Sequence, residues 1–208
     1  MATREQLTQQ YDSWYSSQEV VFGTGKPNLS VTKIKDYLDG GRVLDVGGGE
    51  GRDALFLAAQ GFTVEVYDLS EVGLNKIKTH ALEKGLSIST KVRDVIEGGI
   101  EAEYEAVVMS FVLHHMSKAD AVTVIQNAQK HTVVGGVHTI DTFMAEGELY
   151  QRNKISGRFY PSEKDVQVLY ADWDIRELNF RETKSFARNK EGEQMKNMAV
   201  SLLAQKIL

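Results

Sequence analysis

The chain reads as an α/β protein: a Rossmann-like, doubly wound, mostly parallel seven-stranded sheet with an antiparallel strand near the C-terminus. Three observations predict this. From Arg42 onward short apolar runs alternate with helical patterns, as in a parallel sheet covered by helices on both faces. A glycine-rich turn, Gly47-Gly48-Gly49-Glu50-Gly51, follows the first apolar run. Near the C-terminus the alternation breaks, and two strand-like segments follow one another.

The elements can be justified in order. RVLDV (42–46) is a buried strand, and 53–60 is a helix apolar on several sides, as expected of one packed on a sheet. Residues 62–68 alternate like a strand, and 71–85 read as a helix ended by Gly85. Residues 87–94 and 104–112 are the third and fourth strands. Residues 118–131 form an amphipathic helix behind Ser117 as cap, with Ala121, Val122, Ile125 and Ala128 on one face. Residues 135–143 are the fifth strand. Ser162, with Asp165 three residues on, caps a helix over 162–171. The strands 173–182 and 195–207 are then joined by a turn containing Lys190-Glu191-Gly192. Upstream, residues 1–40 carry two short helices, around 4–17 and 29–38, as an extension or lid on a core spanning 41–208. The whole is expected to be one domain, since 208 residues show no repeat, linker or low-complexity tract.

Composition narrows the partners. A net charge of -5 argues against nucleic acid or an anionic membrane as main partner. Zero cysteines exclude disulfides, thiolate metal sites and a cysteine nucleophile, and fit a cytoplasmic protein. The polar opening MATREQLTQQYDSWYSS is unlike a signal peptide, and no apolar run approaches the roughly 20 residues of a membrane span. No zinc motif or serine-hydrolase elbow is present. The expected partner is a small molecule, with monomer and dimer both open.

The glycine turn selects among nucleotide-like ligands. A dinucleotide-binding turn wants a third glycine where Arg52 stands, so that the helix packs close to the strand. The spacing here is G-x-G-x-G, preceded by Leu44-Asp45. Asp68 ends the second strand about twenty residues past the first glycine, where a carboxylate can accept both ribose hydroxyls. Asp94 ends the third strand in VRDV.

With these features the chain resembles the class I S-adenosylmethionine-dependent methyltransferases. The resemblance implies S-adenosyl-L-methionine as cofactor, with Asp45, Gly47, Gly48, Gly49 and Gly51 around its methionine and ribose. It places Asp68 and Leu69 at the ribose, Asp94 and the Val95 main chain at the adenine, and Phe111 in the pocket wall. The stretch VLDVGGGEGRDALFLAAQGFTVEVYDLSEVGL further resembles the tellurite-resistance branch, which carries L-D-x-G-C-G-x-G-R-N and a helix ending L-A-x-x-G. LYADWDI (169–175) matches that branch's Y-x-x-W-D, and FGTGKPN (22–28) resembles a Y-G-x-x-P-N element of related small-molecule methyltransferases. Two departures stand out: Gly48 replaces the usual cysteine, and Phe186-Ala187-Arg188 stands where the branch has a His-Arg pair.

A sulfonium methyl is already an activated electrophile, so a soft nucleophile needs only positioning, whereas oxygen or nitrogen more often needs a base. His114 and His115, after the fourth strand, are the base candidates, with packing under the adenosine or capping of the next helix as the alternative. Tyr11, Trp14, Tyr15 and Phe22 form an aromatic cluster that either lids the pocket or stacks on the sheet. Tyr15, Phe22, Arg158, Tyr160 and Arg188 are the candidate acceptor-side residues, the arginines suiting an anionic substrate. The expected function is methyl transfer to a small molecule, a chalcogen oxyanion or a thiol. The rivals are a non-catalytic cofactor-binding protein of the same fold and a nicotinamide-dependent oxidoreductase, against which Arg52 counts.

Overall fold

The computed structural model describes residues 3–17 and 25–208, and of Phe186 only the main chain. Seven strands form one sheet: β1 (Arg42–Val46), β2 (Thr63–Asp68), β3 (Ile88–Val92), β4 (Tyr104–Ser110), β5 (Thr132–Gly147), β6 (Trp173–Arg188) and β7 (Gln194–Lys206). Their order is β3-β2-β1-β4-β5-β7-β6. The first five run parallel, and β7 lies antiparallel between β5 and β6. The expected mostly parallel sheet with one antiparallel member near the C-terminus is what the chain forms.

The unbroken apolar runs follow from two covered faces. Successive side chains of a strand point to opposite faces, and β4 shows the division. Ala106 and Val108 join Val43, Val64, Leu57 and Ile77 on the side of α3 (Arg52–Ala59) and α4 (Glu71–Glu83). Val107 and Met109 join Leu44, Ile125 and Ile140 on the side of α6 (Lys118–Lys130). Along α6 the buried residues are Ala121, Val124, Ile125 and Ala128. Val124 takes the place expected for Val122, because an i, i+3, i+4, i+7 stripe passes through 124.

The N-terminal helices come out as α1 (Arg4–Ser17) and α2 (Leu29–Thr32), the second cut short by a 3-10 turn at Ile34–Asp36. Two short helices were not anticipated, α5 (Val95–Gly98) and α7 (Glu148–Asn153). The last helix, α8 (Glu163–Leu169), has the full capping box of Ser162 and Asp165. β5 and β6 outrun the apolar segments that announced them, while β7 falls within a residue of its expected bounds. β6 pairs with β7 from Trp173↔Lys206 to Arg188↔Gln194, so ladder hydrogen bonds carry polar residues beyond 182 into the strand.

The Tyr170 and Trp173 of the LYADWDI motif are structural. The Tyr170 hydroxyl lies 2.8 Å from His138 Nδ1, Thr132 Oγ1 lies 2.7 Å from its Nε2, and the Trp173 ring packs 4.4 Å from the imidazole. Burial pulls the His138 pKa down to about 3, so this clamp holds a neutral imidazole. Among the described residues no helix is long and apolar enough to cross a membrane.

Candidate active site

In an open sheet the cleft forms where strand order reverses, at the carboxyl ends of the strands. Here that point lies between β1 and β4. A cavity of about 890 Å³ opens there, within the roughly 300–1,000 Å³ usual for small-molecule sites.

The loop after β1 is folded by its glycines. Gly49 has φ +57°, and a Cβ there would stand 2.7 Å from the Tyr15 hydroxyl. Gly73, in the first turn of α4, would place a Cβ 2.7 Å from the Gly49 carbonyl oxygen. The loop is therefore held between α1 and α4 with no room for a side chain on either facing glycine. Asp68 ties it down: one carboxylate oxygen accepts the Gly49 N–H at 2.9 Å and the other the Ser70 N–H at 2.8 Å. Burial raises the Asp68 pKa against those two donors. A carboxylate offers about four lone-pair sites, so both oxygens keep acceptor capacity.

Deeper in, buried Asp45 has one oxygen without a partner, and burial with neighbouring Asp53 and Asp68 pushes its pKa well up. Asp53 accepts the Asn28 main-chain N–H at 2.8 Å and its side-chain N–H at 2.7 Å, while Arg52 donates to the Asn28 side-chain oxygen Oδ1 at 3.1 Å. Pro27-Asn28 of the FGTGKPN element is thus stitched to the start of α3; Phe22 itself lies outside the described residues. Asp94 caps α5 through the Ile96 N–H at 2.9 Å and pairs with Arg4 of α1. A second tie to α1 joins the Ser70 hydroxyl to Asp12 at 2.5 Å.

After β4, Phe111 adopts φ +53° and donates its N–H to the Asp141 carbonyl at 2.6 Å. A non-glycine residue there stores roughly 1–3 kcal/mol of strain, and the turn sets its ring 5.1 Å from Phe143. His114 is buried with its ring 4.9 Å from Phe143, and His115 Nε2 lies 2.7 Å from the Tyr11 hydroxyl. Burial and then the Arg158 charge lower the His115 pKa to about 4; burial, then His115, hold His114 well below its ordinary value.

Asp45, Gly47, Gly48, Gly49, Asp68, Leu69, Asp94, Val95 and Phe111 all line this one cavity, with His114 and His115. Gly51 does not. It ends the loop at φ +82° as N-cap of α3, where a Cβ would meet Ile77 at 2.7 Å, so its role is packing.

The family model of tellurite resistance protein TehB matches residues 10–203. The chain belongs to the TehB family. A probable S-adenosyl-L-methionine-dependent methyltransferase TehB of Haemophilus influenzae is 27% identical over 165 residues, 79% of this chain and 57% of the relative. The chain thus spans just over half the length of that curated relative. The crystal structure of TehB from Haemophilus influenzae superposes with a TM-score of 0.76 at 23% identity, covering 95% of this chain and 67% of that one. The N-methyltransferase NodS of Bradyrhizobium japonicum, solved in complex with S-adenosyl-l-homocysteine, gives 0.72 at 12% identity, covering 96% and 97%.

The side expected to take the acceptor differs in part from expectation in this TehB-family cavity. Tyr15, Arg158 and Tyr160 line it, but Arg188 does not. Its guanidinium donates to the Gly192 carbonyl at 2.5 Å and serves the β6–β7 turn. The strand runs on past the apolar residues, which carries position 188 to the hairpin tip. Arg181, one of the cavity residues the sequence did not single out, sits lower on β6. It reaches the fully buried Asp141 at 3.1 Å, which also accepts from the Ser30 and Ser201 hydroxyls. The available signal was Asp141 itself, a carboxylate inside the apolar run of β5, since a fully buried Asp almost always has partners.

Proposed function

We propose that this chain is an S-adenosylmethionine-dependent methyltransferase acting on a small molecule. The observation that carries this reading is the convergence of Asp45, the glycine loop, Asp68 and Asp94, from three separate strand ends, on one cavity. The fit to the cofactor rests on features of the chain: a loop with no room for side chains at Gly49, and cavity atoms left without partners at Asp45 and Ser110. When bound, S-adenosylmethionine supplies a methyl group already activated by sulfonium charge. Asp68 would accept the ribose hydroxyls, and Asp94 with the Val95 main chain would hold the adenine. Residues 41–208 read as the cofactor core and residues 1–40 as its lid, because Arg4, Asp12 and Tyr15 of α1 contact Asp94, Ser70 and the loop.

The acceptor is read as a soft nucleophile, a thiol or a reduced chalcogen oxyanion. With a pKa near 4, His115 is a weak base at neutrality, and burial holds His114 well below its ordinary value as well. General-base catalysis works best with a pKa near the working pH. The chain's contribution is then placement: Phe111, Phe143 and Tyr160 wall off water while Arg158 attracts negative charge. Calorimetry with S-adenosylhomocysteine and NAD, followed by methyl transfer to a thiol, selenite and tellurite, tests the reading. Micromolar NAD binding without binding of the sulfonium product would overturn it.

A further inference from the structure

The acceptor side holds a group of polar atoms without partners. Arg158 enters no ion pair among the described residues, and its Nε is buried with no hydrogen-bond partner. Nδ1 of His115 is likewise buried and unpartnered. The two residues are held close by main chain. Arg158 bridges antiparallel to Ser117, with Phe159 N–H donating to Met116 O at 2.9 Å and Lys118 N–H to Gly157 O at 3.2 Å. An unpaired guanidinium beside an unsatisfied ring nitrogen is costly unless something completes it, since buried polar groups are nearly always hydrogen-bonded.

The tautomer of His115 decides what that something is. A neutral imidazole carries one N–H. The Tyr11 hydroxyl, 2.7 Å from Nε2, stays protonated because burial and Asp68 raise its pKa. A protonated hydroxyl can donate to Nε2, and that arrangement puts the ring proton on Nδ1. Arg158 and His115 then both present N–H groups, and only an acceptor rich in lone pairs satisfies both.

We propose that Tyr11 of α1 is a positioning residue that fixes His115 as its Nδ1–H tautomer. His115 Nδ1–H and the Arg158 guanidinium then form a two-donor receptor for an anionic oxygen group on the methyl acceptor. This deepens the methyltransferase reading and rests on it for the word acceptor. His115 is thereby a donor and not a base, and docking of α1 is linked to acceptor recognition because the lid supplies the hydroxyl. An aromatic wall of Phe111, Phe143 and Tyr160 beside the receptor suits an acceptor with an apolar body as well as the charge.

The cofactor's own carboxylate is the other source of such an anion, so the test separates them. In ¹⁵N-histidine-labelled protein, long-range proton–nitrogen spectra report each tautomer, with His115 assigned from the spectrum of His115→Gln. The expected result is a protonated Nδ1 in wild type saturated with S-adenosylhomocysteine, and loss of that single tautomer in Tyr11→Phe. Mercaptoacetate should then shift the Nδ1 signal and bind at least tenfold more tightly than neutral 2-mercaptoethanol, with Arg158→Gln abolishing the preference. A protonated Nε2 in wild type would overturn the proposal. So would equal binding of the two thiols, or a signal that S-adenosylhomocysteine moves and mercaptoacetate does not. None of these readouts needs turnover, so absence of methyl transfer would count against the enzymatic reading alone.

Discussion

The two ends of the cavity are built from different materials. The cofactor end is main chain and short carboxylates: a glycine loop, Asp68 receiving two N–H groups, and Asp94 capping a helix turn. The acceptor end is long or aromatic side chains on irregular chain and the strands of the antiparallel half: Arg158, Tyr160, Phe143 and Arg181. Main-chain donors on strand ends are placed by the fold itself. Long side chains depend on whatever packs around them, such as Asp141 under Arg181. One end is thereby set by the fold, and the other by the packing of its neighbours.

The largest expected contrast is in binding. On the proposed reading, Asp68→Ala deletes two charge-assisted contacts to the ribose, worth roughly 1.5–3 kcal/mol each. It should weaken S-adenosylhomocysteine by about a hundredfold or more in calorimetry. Asp94→Ala, with the Val95 main chain still in place, should cost about tenfold by the same reasoning. Equal affinities of wild type and Asp68→Ala would break the comparison at its cofactor end.

Acid should pull the two ends in opposite directions. His114 and His115 have depressed folded-state pKa values, so unfolded chain takes up their protons first. Their contribution to stability is present above about pH 6.5 and is lost as pH falls below it, for His115 down to about 4. Asp45 and Asp68 are raised, so they favour the folded state in acid and oppose it as pH rises past the ordinary carboxylate value. Urea midpoints between pH 4 and 8 should therefore fall less steeply in acid for His115→Gln than for wild type, and more steeply for Asp68→Asn. Identical slopes in all three proteins would show that the ends do not titrate as assigned.

Packing gives the next effect. Gly73→Ala forces a Cβ against the Gly49 carbonyl, 2.7 Å away, and overpacking of this kind costs about 1–3 kcal/mol. Chemical denaturation should show that loss, together with weaker S-adenosylhomocysteine binding because the loop is displaced. Smaller still is the response to His115→Gln, which keeps an N–H donor. Turnover with a thiol should drop by less than about tenfold, against the hundredfold or more that follows loss of a general base. A hundredfold fall with disappearance of a rate limb near neutral pH would make His115 a base. The smallest effect belongs to Arg188→Gln, whose acceptor KM should match wild type, since Arg188 serves the hairpin.

Much of this molecule was legible without coordinates. Strand–helix alternation from Arg42, the G-x-G-x-G turn and the carboxylates at 68 and 94 depend on local periodicity and on fixed places in a sheet, so sequence alone determined the fold and the meeting of these residues at one cavity. The capping box at Ser162 and Asp165 was legible for the same reason, because both partners lie within one turn. What tertiary structure decided is every contact between distant segments. Tyr11 meets His115 across 104 positions, Arg181 meets Asp141 across 40, and Gly73 meets Gly49 through a close approach of helix to loop. Arg188 failed as a pocket residue because ladder pairing with β7 extended β6 past the end of its apolar pattern. A pattern of periods 2 and 3.6 records which face a residue is on; which residue it meets there is set only when the sheet closes and the helices settle on it.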